Sequence, residues 1–349
     1  MVSSSIDDLL KQQTFNILKE EQVKSFMEHG FCKIEGAIPV ENCDWWTRHV
    51  WTRMGSDPND KSTWNEINFL ARSHSIPAHV IAPTFWKAMC ELLGGEDRIH
   101  KSGHSLMDSF IINLGTKEGE GKIVPPKELK GWHCDGDFFI HFLDSPEQAL
   151  LVIPCWSDVD SNGGATWVSN EGIPKIGKLL YDHPEGLSPM MGNRQDVHDE
   201  SVDDEDVSFF NDLARESDDS TFYEMTGKKG DVILMHPLML HSVSKNALRK
   251  VRIITNPPIS LNEPFNFNRA NPADYSLVEL KTIKDLGGPE KFKDWKITGE
   301  REIFVPRRMK KQSNQRELEN ERLVKAGFPE QIGLIKQVPA LLEHLMKDA

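Results

Sequence analysis

Between Ser109 and Ser260 the sequence contains seven short runs of β-branched, aliphatic and aromatic residues: SFIINLG (109–115), WHCDGDFFIHF (132–142), ALLVIPCWSDV (149–159), ATWVSN (165–170), FYEMTG (222–227), DVILMHPLMLHSV (231–243) and VRIITNPPIS (251–260). Clusters of Gly, Pro, Asn and Asp separate these runs. Short strands divided in this way are typical of a β-sandwich or barrel. We therefore expect the centre of the chain to be mainly β.

Helices are expected on both sides of this β region. Residues 17–30 have apolar side chains at helical spacing and end on a glycine, residues 31–38 resemble a first strand, and residues 83–94 open on proline and close on glycines. From about residue 272 the sequence again favours helices. The expected organisation is one domain over 1–349, with an N-terminal helical region and first strands at 1–108, a core at 109–260 and a C-terminal helical extension at 261–349.

An acidic insertion at 192–220 interrupts the β core. Seven of its carboxylates fall within residues 196–206 and few apolar residues accompany them: Asp196, Asp199, Glu200, Asp203, Asp204, Glu205 and Asp206. Mutual repulsion and little apolar surface predict a flexible loop. It is either a lid over a functional site or a solvated loop without a role, and the sequence does not separate the two.

Composition excludes several classes of partner. The 349 residues carry 54 acidic and 41 basic side chains, a net charge of −13. This balance argues against nucleic acid and against an anionic membrane surface as partners. The sequence contains no apolar run of membrane-spanning length and no N-terminal signal peptide, and the five scattered cysteines fit reduced thiols. We expect a cytoplasmic protein, monomeric or homodimeric, that acts on a small molecule.

The motif Trp132-His133-Cys134-Asp135-Gly136 predicts a metal site. On a strand, residues two positions apart point to the same face, so His133 and Asp135 can bind one ion together. A pair of this kind on a solvated face would have no such role. Here the apolar neighbours Trp132, Phe138 and Phe139 indicate an interior position.

A third ligand is expected from the apolar run that begins at Gly230, which is interpreted as one strand delivering a histidine. His241 is the preferred candidate, and His236, which precedes a proline, is the alternative. Two histidines and one carboxylate on one facet leave three open positions, which is typical of non-haem Fe(II) oxygenases. A 2-oxo acid such as 2-oxoglutarate can chelate the iron through two of these positions, and O2 can take the third.

Arg252 is the expected partner of the far carboxylate of 2-oxoglutarate. It follows His241 by eleven residues, across a turn and at the start of the next run. An arginine can bind a carboxylate through two parallel hydrogen bonds, which lysine cannot do.

At these residues the sequence resembles the phytanoyl-CoA dioxygenase family of Fe(II)/2-oxoglutarate-dependent oxygenases. The resemblance covers roughly residues 18–260 and rests on the order and spacing of four segments: EEQVKSFMEHGFCKIEGAI, WHCDG, SNGGATWV, and GDVILMHPLMLHSVSKN followed by Arg252. It implies a double-stranded β-helix, that is, a jelly-roll or cupin-like core. It also implies iron bound by His133, Asp135 and His241, with Arg252 on the co-substrate.

The resemblance further places Thr166, and less directly Asn113, beside the 2-oxoglutarate. The presence of Asp135 favours hydroxylation, or another oxidation that begins at a C–H bond, with release of succinate and CO2. The substrate is not predicted, although secondary metabolites and acyl compounds fit the family. Two alternatives remain: a cupin-type isomerase with another metal, and a catalytically inactive binding protein on the same fold.

Overall fold

The structure is a computed structural model that describes residues 5–199, 201, 203, 205–306 and 309–331, without the side chains of 309–313 and 330. Two carboxylates of the acidic insertion, Glu200 and Asp204, and the part of the predicted C-terminal extension at 332–349 lie outside the described residues. No helix in the described ranges has both the length and the apolar character needed to cross a membrane.

Helices occupy both ends of the chain and two connections in its centre: α1 (Ile6–Leu10), α2 (Glu20–His29), α3 (Val40–Thr47), α4 (Val50–Met54), α5 (Ala78–Ile81), α6 (Pro83–Leu93), α7 (Gly172–Asp182), α8 (Ser208–Glu216), α9 (Leu277–Asp285) and α10 (Met309–Lys325). The predicted helices at 17–30 and 83–94 correspond to α2 and α6. Each ends on a glycine in the left-handed region, Gly30 at φ 78° and Gly94 at φ 88°. The helical character predicted after residue 272 is confirmed by α9 and α10.

The strands are short: β1 (Phe31–Ile34), β2 (Ile67–Phe69), β3 (Ser75–Pro77), β4 (Ser105–Met107), β5 (Ile111–Asn113), β6 (Leu151–Pro154), β7 (Thr166–Ser169), β8 (Phe222–Met225), β9 (Val232–Met235), β10 (Leu240–Val243) and β11 (Arg252–Ile254). They pair antiparallel in small sheets ordered β1-β9-β6, β11-β5-β2, β8-β7-β10 and β3-β4. The single bridge between Cys155 and Ile254 connects the first two of these sheets. The expected combination of antiparallel strands and flanking helices is therefore present.

Alternating side chains divide the core into two layers. One cluster joins residues of β6, β9 and β11 to residues of β7 and β8: Leu151, Ile153, Ile233, Met235, Ile254, Val168 and Met225. Because neighbouring side chains on a strand point to opposite faces, the residues between them, such as Val152, Leu234 and Ile253, belong to a second cluster that includes α2, α6 and α9. The first cluster fills an inner space between two groups of strands, and His241 on β10 lies opposite Val168 of this cluster.

Three sequence predictions need correction. The run at 132–142 is not a strand; it contains isolated bridges, one of them between His133 and His241. The run at 231–243 is two strands in different sheets, because the chain turns at His236 and Pro237, and proline cannot donate a ladder hydrogen bond. The acidic insertion also contains α8, whose Phe210 and Ala214 are fully buried, so 208–216 is ordered by apolar packing.

Candidate metal centre

Three side chains converge at one site, where His241 is buried and the side chains of Asp135 and His133 are 19% and 38% exposed. One ligand atom of each of His133, Asp135 and His241 lies within 4.8 Å of the others, and in the described part of the chain these form the single group of three or more His, Cys, Asp or Glu side chains placed to share an ion. The Nε2 atoms of both histidines are 3.6 Å from Asp135 Oδ1. The predicted ligand set is thus brought together.

Backbone pairing places these ligands. His241 lies on β10, and its N–H and carbonyl group exchange 3.0 Å hydrogen bonds with those of His133. Gly136 follows Asp135 at φ 119°, and a Cβ at this position would come within 2.9 Å of Phe139 and His141. Only glycine therefore turns the chain tightly enough for the aromatic side chains to pack behind the ligands.

The two imidazole rings are oriented by backbone carbonyl groups. His133 Nδ1 is 2.8 Å from the carbonyl oxygen of Gly131, and His241 Nδ1 is 3.0 Å from that of Met239. A nitrogen facing a carbonyl oxygen must carry its proton, so Nε2 faces Asp135 and becomes the metal-binding lone pair once its own proton is lost. This is the tautomer in which histidine binds a metal, with the second nitrogen held by a hydrogen bond.

Asp135 is prepared to remain ionised. Burial would raise the pKa of this carboxyl group, but the charge of His241 and the nearby polar Nε2 groups of His133 and His241 outweigh burial and hold its pKa well below the usual value. Its second oxygen, Oδ2, accepts a 2.7 Å hydrogen bond from Asn256 Nδ2. Burial and the contact between Asp135 and His133 have opposite effects on His133. Burial lowers the pKa of this imidazole, and the contact with Asp135 raises it by more.

His236, the alternative third ligand, is excluded from the site by its own contacts. Its Nε2 is 2.8 Å from Thr282 Oγ1 on α9, and its Nδ1 accepts from the N–H of Leu238. Burial lowers the pKa of His236 to about 3. It is a neutral histidine that connects the turn after β9 to a helix.

Arg252 is a buried cation that has no counter-ion in the part of the chain that the structure describes. Its Nε donates to the carbonyl oxygen of Gly164 at 2.7 Å and its Nη1 to that of Ile111 at 3.4 Å, whereas Nη2 is buried with no hydrogen-bond partner. Arg252 forms no ion pair with any carboxylate of the described residues, and burial lowers its pKa to about 10. A buried charge without a counter-ion is unfavourable unless an anionic ligand binds to it.

The two further co-substrate candidates differ in their surroundings. Thr166 on β7 pairs with Val243, two residues after His241, and strand alternation puts Thr166 on the face of His241. Asn113 is paired with Arg252, but its amide donates to the carbonyl oxygen of Ser244 and accepts from the N–H of Gly115. These bonds favour a structural role for Asn113. For both residues, contact with a co-substrate stays a prediction.

Sequence reasoning missed Asn256, which contacts the metal-ligand carboxylate directly. One signal was available: Asn256 lies four residues after Arg252 in an extended segment, and alternation places positions 252, 254 and 256 on one face. The two carbonyl groups that orient the imidazoles carry no sequence signal, since every residue has one.

No family model matches the sequence, and no curated protein matches it. Solved structures with similarity include HygX from Streptomyces hygroscopicus with nickel and 2-oxoglutarate bound, at 13% identity and a TM-score of 0.39, covering 79% of this chain and 99% of that chain. The non-haem alpha-ketoglutarate-dependent carbocyclase SnoK from nogalamycin biosynthesis has 14% identity, a TM-score of 0.36 and coverages of 74% and 86%. EvdO2 from Micromonospora carbonacea var. aurantiaca has 11% identity, a TM-score of 0.37 and coverages of 72% and 96%. Values of this size establish neither a shared family nor a shared function, so the function must be inferred from the side chains of this chain.

Proposed function

We propose that this protein is an Fe(II)- and 2-oxoglutarate-dependent dioxygenase that oxidises a C–H bond of a small organic substrate. The observation that carries the proposal is the pairing of two features in one inner space. One is a two-histidine, one-carboxylate cluster, and the other is a buried arginine whose Nη2 has no partner among the described residues. A metal site alone fits many chemistries, but a buried and unpaired guanidinium group needs an anionic ligand.

The residues present fit both groups. His133 and His241 offer Nε2 lone pairs and Asp135 offers Oδ1, which is a donor set suited to iron(II) with three positions left open. Arg252 would bind the distal carboxylate of 2-oxoglutarate, with Thr166 and Asn113 as further contacts. When bound, iron and 2-oxoglutarate would allow O2 to oxidise the substrate, with succinate and CO2 as the products from 2-oxoglutarate.

The chain contributes orientation and shielding. Backbone carbonyl groups fix the rings, so the ligand atoms are in place before an ion binds. His241 and Arg252 are 5% and 1% exposed, and a carboxylate drawn to Arg252 would leave water almost completely. Charge-assisted hydrogen bonds are stronger in such an environment than at a surface.

The wider proposal follows the resemblance to the phytanoyl-CoA dioxygenase family. It comprises a jelly-roll core formed by the two groups of strands, one oxygenase domain over 1–349, hydroxylation as the reaction, a monomer or homodimer, and a cytoplasmic location. In support of that location, all five cysteines are free thiols, four of them buried.

The test is 2-oxoglutarate turnover without substrate. Protein loaded with Fe(II) under anaerobic conditions is expected to form succinate once 2-oxoglutarate and O2 are added. His133→Ala, Asp135→Ala and His241→Ala should each abolish tight iron binding and most of this turnover, because each removes one of the three ligands.

His236→Ala is the matched control for His241→Ala. It removes a buried histidine from the same run, but one that faces α9, so stability should fall while iron binding and succinate formation persist. The ligand assignment is wrong if the two variants behave in the opposite way. A wild-type protein that binds a divalent metal without turning over 2-oxoglutarate would favour the cupin-type isomerase or an inactive binding protein.

A further inference from the structure

Asn256 contacts the oxygen of Asp135 that does not face the histidines. Its Nδ2 is 2.7 Å from Asp135 Oδ2, while Asp135 Oδ1 is the atom 3.6 Å from both imidazole Nε2 atoms. The two oxygens of one carboxylate are thus given different neighbours. One faces the ion position, and the other is occupied by an amide.

The orientation of this amide is fixed by charge. An ionised carboxylate only accepts hydrogen bonds, so the amide must present its NH2 group and not its oxygen. The remaining atom, Asn256 Oδ1, is buried and has no partner among the described residues. Leaving a buried acceptor unpaired is unfavourable. The contact with Asp135 is therefore kept despite an unfavourable environment for the rest of the side chain.

The segment that carries Asn256 also carries Arg252. Ile254, midway between them, belongs to the first core cluster, which lies between the two groups of strands. The hydroxyl group of Thr255 instead accepts from Trp156 Nε1, and Trp156 belongs to the second cluster. Alternation thus continues past the end of β11 and directs positions 252, 254 and 256 inward. One extended segment reaches both the expected co-substrate and the metal-ligand carboxylate.

We propose that Asn256 is a positioning residue that restricts Asp135 to binding the metal through one oxygen, Oδ1. This inference rests on the proposed function to the extent that a metal must bind at the site. With Oδ2 free, Asp135 could rotate and bind through both oxygens, which would occupy one of the three open positions. A 2-oxo acid and O2 together need all three open positions on the metal. By holding Oδ2, Asn256 would keep the third position open.

The experiment uses Co(II) alone as the probe, so that it depends on neither turnover nor 2-oxoglutarate. The purified full chain and Asn256→Leu, which removes the donor at similar size, are titrated with Co(II). The d–d absorption bands, which report the number and geometry of ligands, are followed. Loss of a hydrogen bond that orients a metal ligand is expected to weaken metal affinity 10- to 100-fold. The bands should also change shape, because Asp135 gains a second binding mode.

Thr255→Val is the matched control. It removes a buried hydrogen bond from the adjacent residue. Because that hydrogen bond is made to Trp156 of the second core cluster, the Co(II) affinity and bands should stay as in the wild type. Asn256→Ser, which is smaller than asparagine, repeats the measurement if Asn256→Leu does not fold. A folded Asn256 variant with wild-type affinity and bands overturns the inference. A wild-type chain that binds no Co(II) overturns the proposed function itself, so the two failures are distinguishable.

Discussion

Arg53 and Arg252 are both buried guanidinium groups, and their surroundings differ completely. Arg53, 5% exposed, forms ion pairs with Asp108 at 3.0 Å and Glu319 at 2.9 Å and donates to the carbonyl oxygen of Ala71. Arg252, 1% exposed, has two backbone carbonyl partners and no carboxylate among the described residues. Arg53 has its counter-ions within the fold, whereas Arg252 has none within the described ranges.

This difference separates a structural role from a binding role. The Arg53 network joins α4 to α10 through Glu319, whose second oxygen also accepts from the N–H of Ala71. The charge of Arg53 is compensated within the fold, and its removal would leave two buried carboxylates without their cation. The charge of Arg252 is compensated only when an anion binds, so its removal should affect a ligand more than the fold.

The largest expected effect is on stability, at Arg53. Arg53→Met leaves Asp108 and Glu319 as unpaired buried charges, and the free energy of unfolding should fall by about 3–5 kcal/mol. Urea denaturation followed by circular dichroism measures it. Arg252→Met is the control and should leave the stability of the ligand-free protein nearly unchanged or slightly higher, because an uncompensated charge is replaced by an apolar chain of similar length. Equal losses in the two variants would contradict the distinction between them.

The second effect is on co-substrate binding, at Arg252. Loss of a buried charge-assisted pair costs about 2–4 kcal/mol, so Arg252→Met should weaken 2-oxoglutarate binding by roughly thirty-fold or more. Calorimetric titration of the anaerobic Fe(II) protein measures this affinity. Iron affinity should not change, because Arg252 forms no bond with a ligand side chain. An unaltered 2-oxoglutarate affinity would reject the role of Arg252.

The sequence was sufficient to predict which candidate ligands lie together, because the signal at His133 and Asp135 is local. His133 and Asp135 are two positions apart, and the glycine after them marks the turn. The three side chains converge although the run is not a strand, since a single bridge between His133 and His241 already sets the first two side by side. His241 could not be separated from His236 by spacing with certainty, because that choice depends on the turn at Pro237 and on contact with α9.

Contacts between residues that are far apart in the sequence could not be predicted from it. Asn256 and Asp135 are separated by 121 positions, and the pairing of Arg53 with Glu319 spans 266. No periodicity connects such residues. The helix α8, in contrast, has a local signal, because Phe210, Leu213 and Ala214 have helical spacing. The prediction of a loop followed the acidic run before them and gave this spacing too little weight.

The third effect is stabilisation by 2-oxoglutarate. A ligand that binds only the folded state stabilises it by about 2.7 kcal/mol at one hundred times its dissociation constant. At the same concentration, a thirty-fold weaker variant gains only about 1 kcal/mol. Thermal unfolding of the metal-loaded wild type and Arg252→Met, with and without 2-oxoglutarate, compares the two. Arg252→Lys should fall between them, because it keeps the charge but not the planar pair of donors. Equal stabilisation of wild type and Arg252→Met would place the carboxylate elsewhere.

The smallest effect concerns acid stability and belongs to the Arg53 network. Burial would raise the pKa of Asp108, but the hydrogen bond from His74, the charge of Arg53 and the N–H groups of His74 and Ser73 together lower it. A carboxyl group with a lowered folded pKa contributes stability that is fully present above its unfolded pKa, about 3.9, and is lost as the pH falls through the folded value. Unfolding free energies of the wild type should therefore decline below about pH 4, with a contribution from this one group of at most about 1.4 kcal/mol per pH unit. Asp108→Asn removes the titrating group, so its profile should be flatter in that window, although the variant is less stable at neutral pH. Identical slopes for the two proteins would show that the counter-ion of Arg53 does not control acid unfolding.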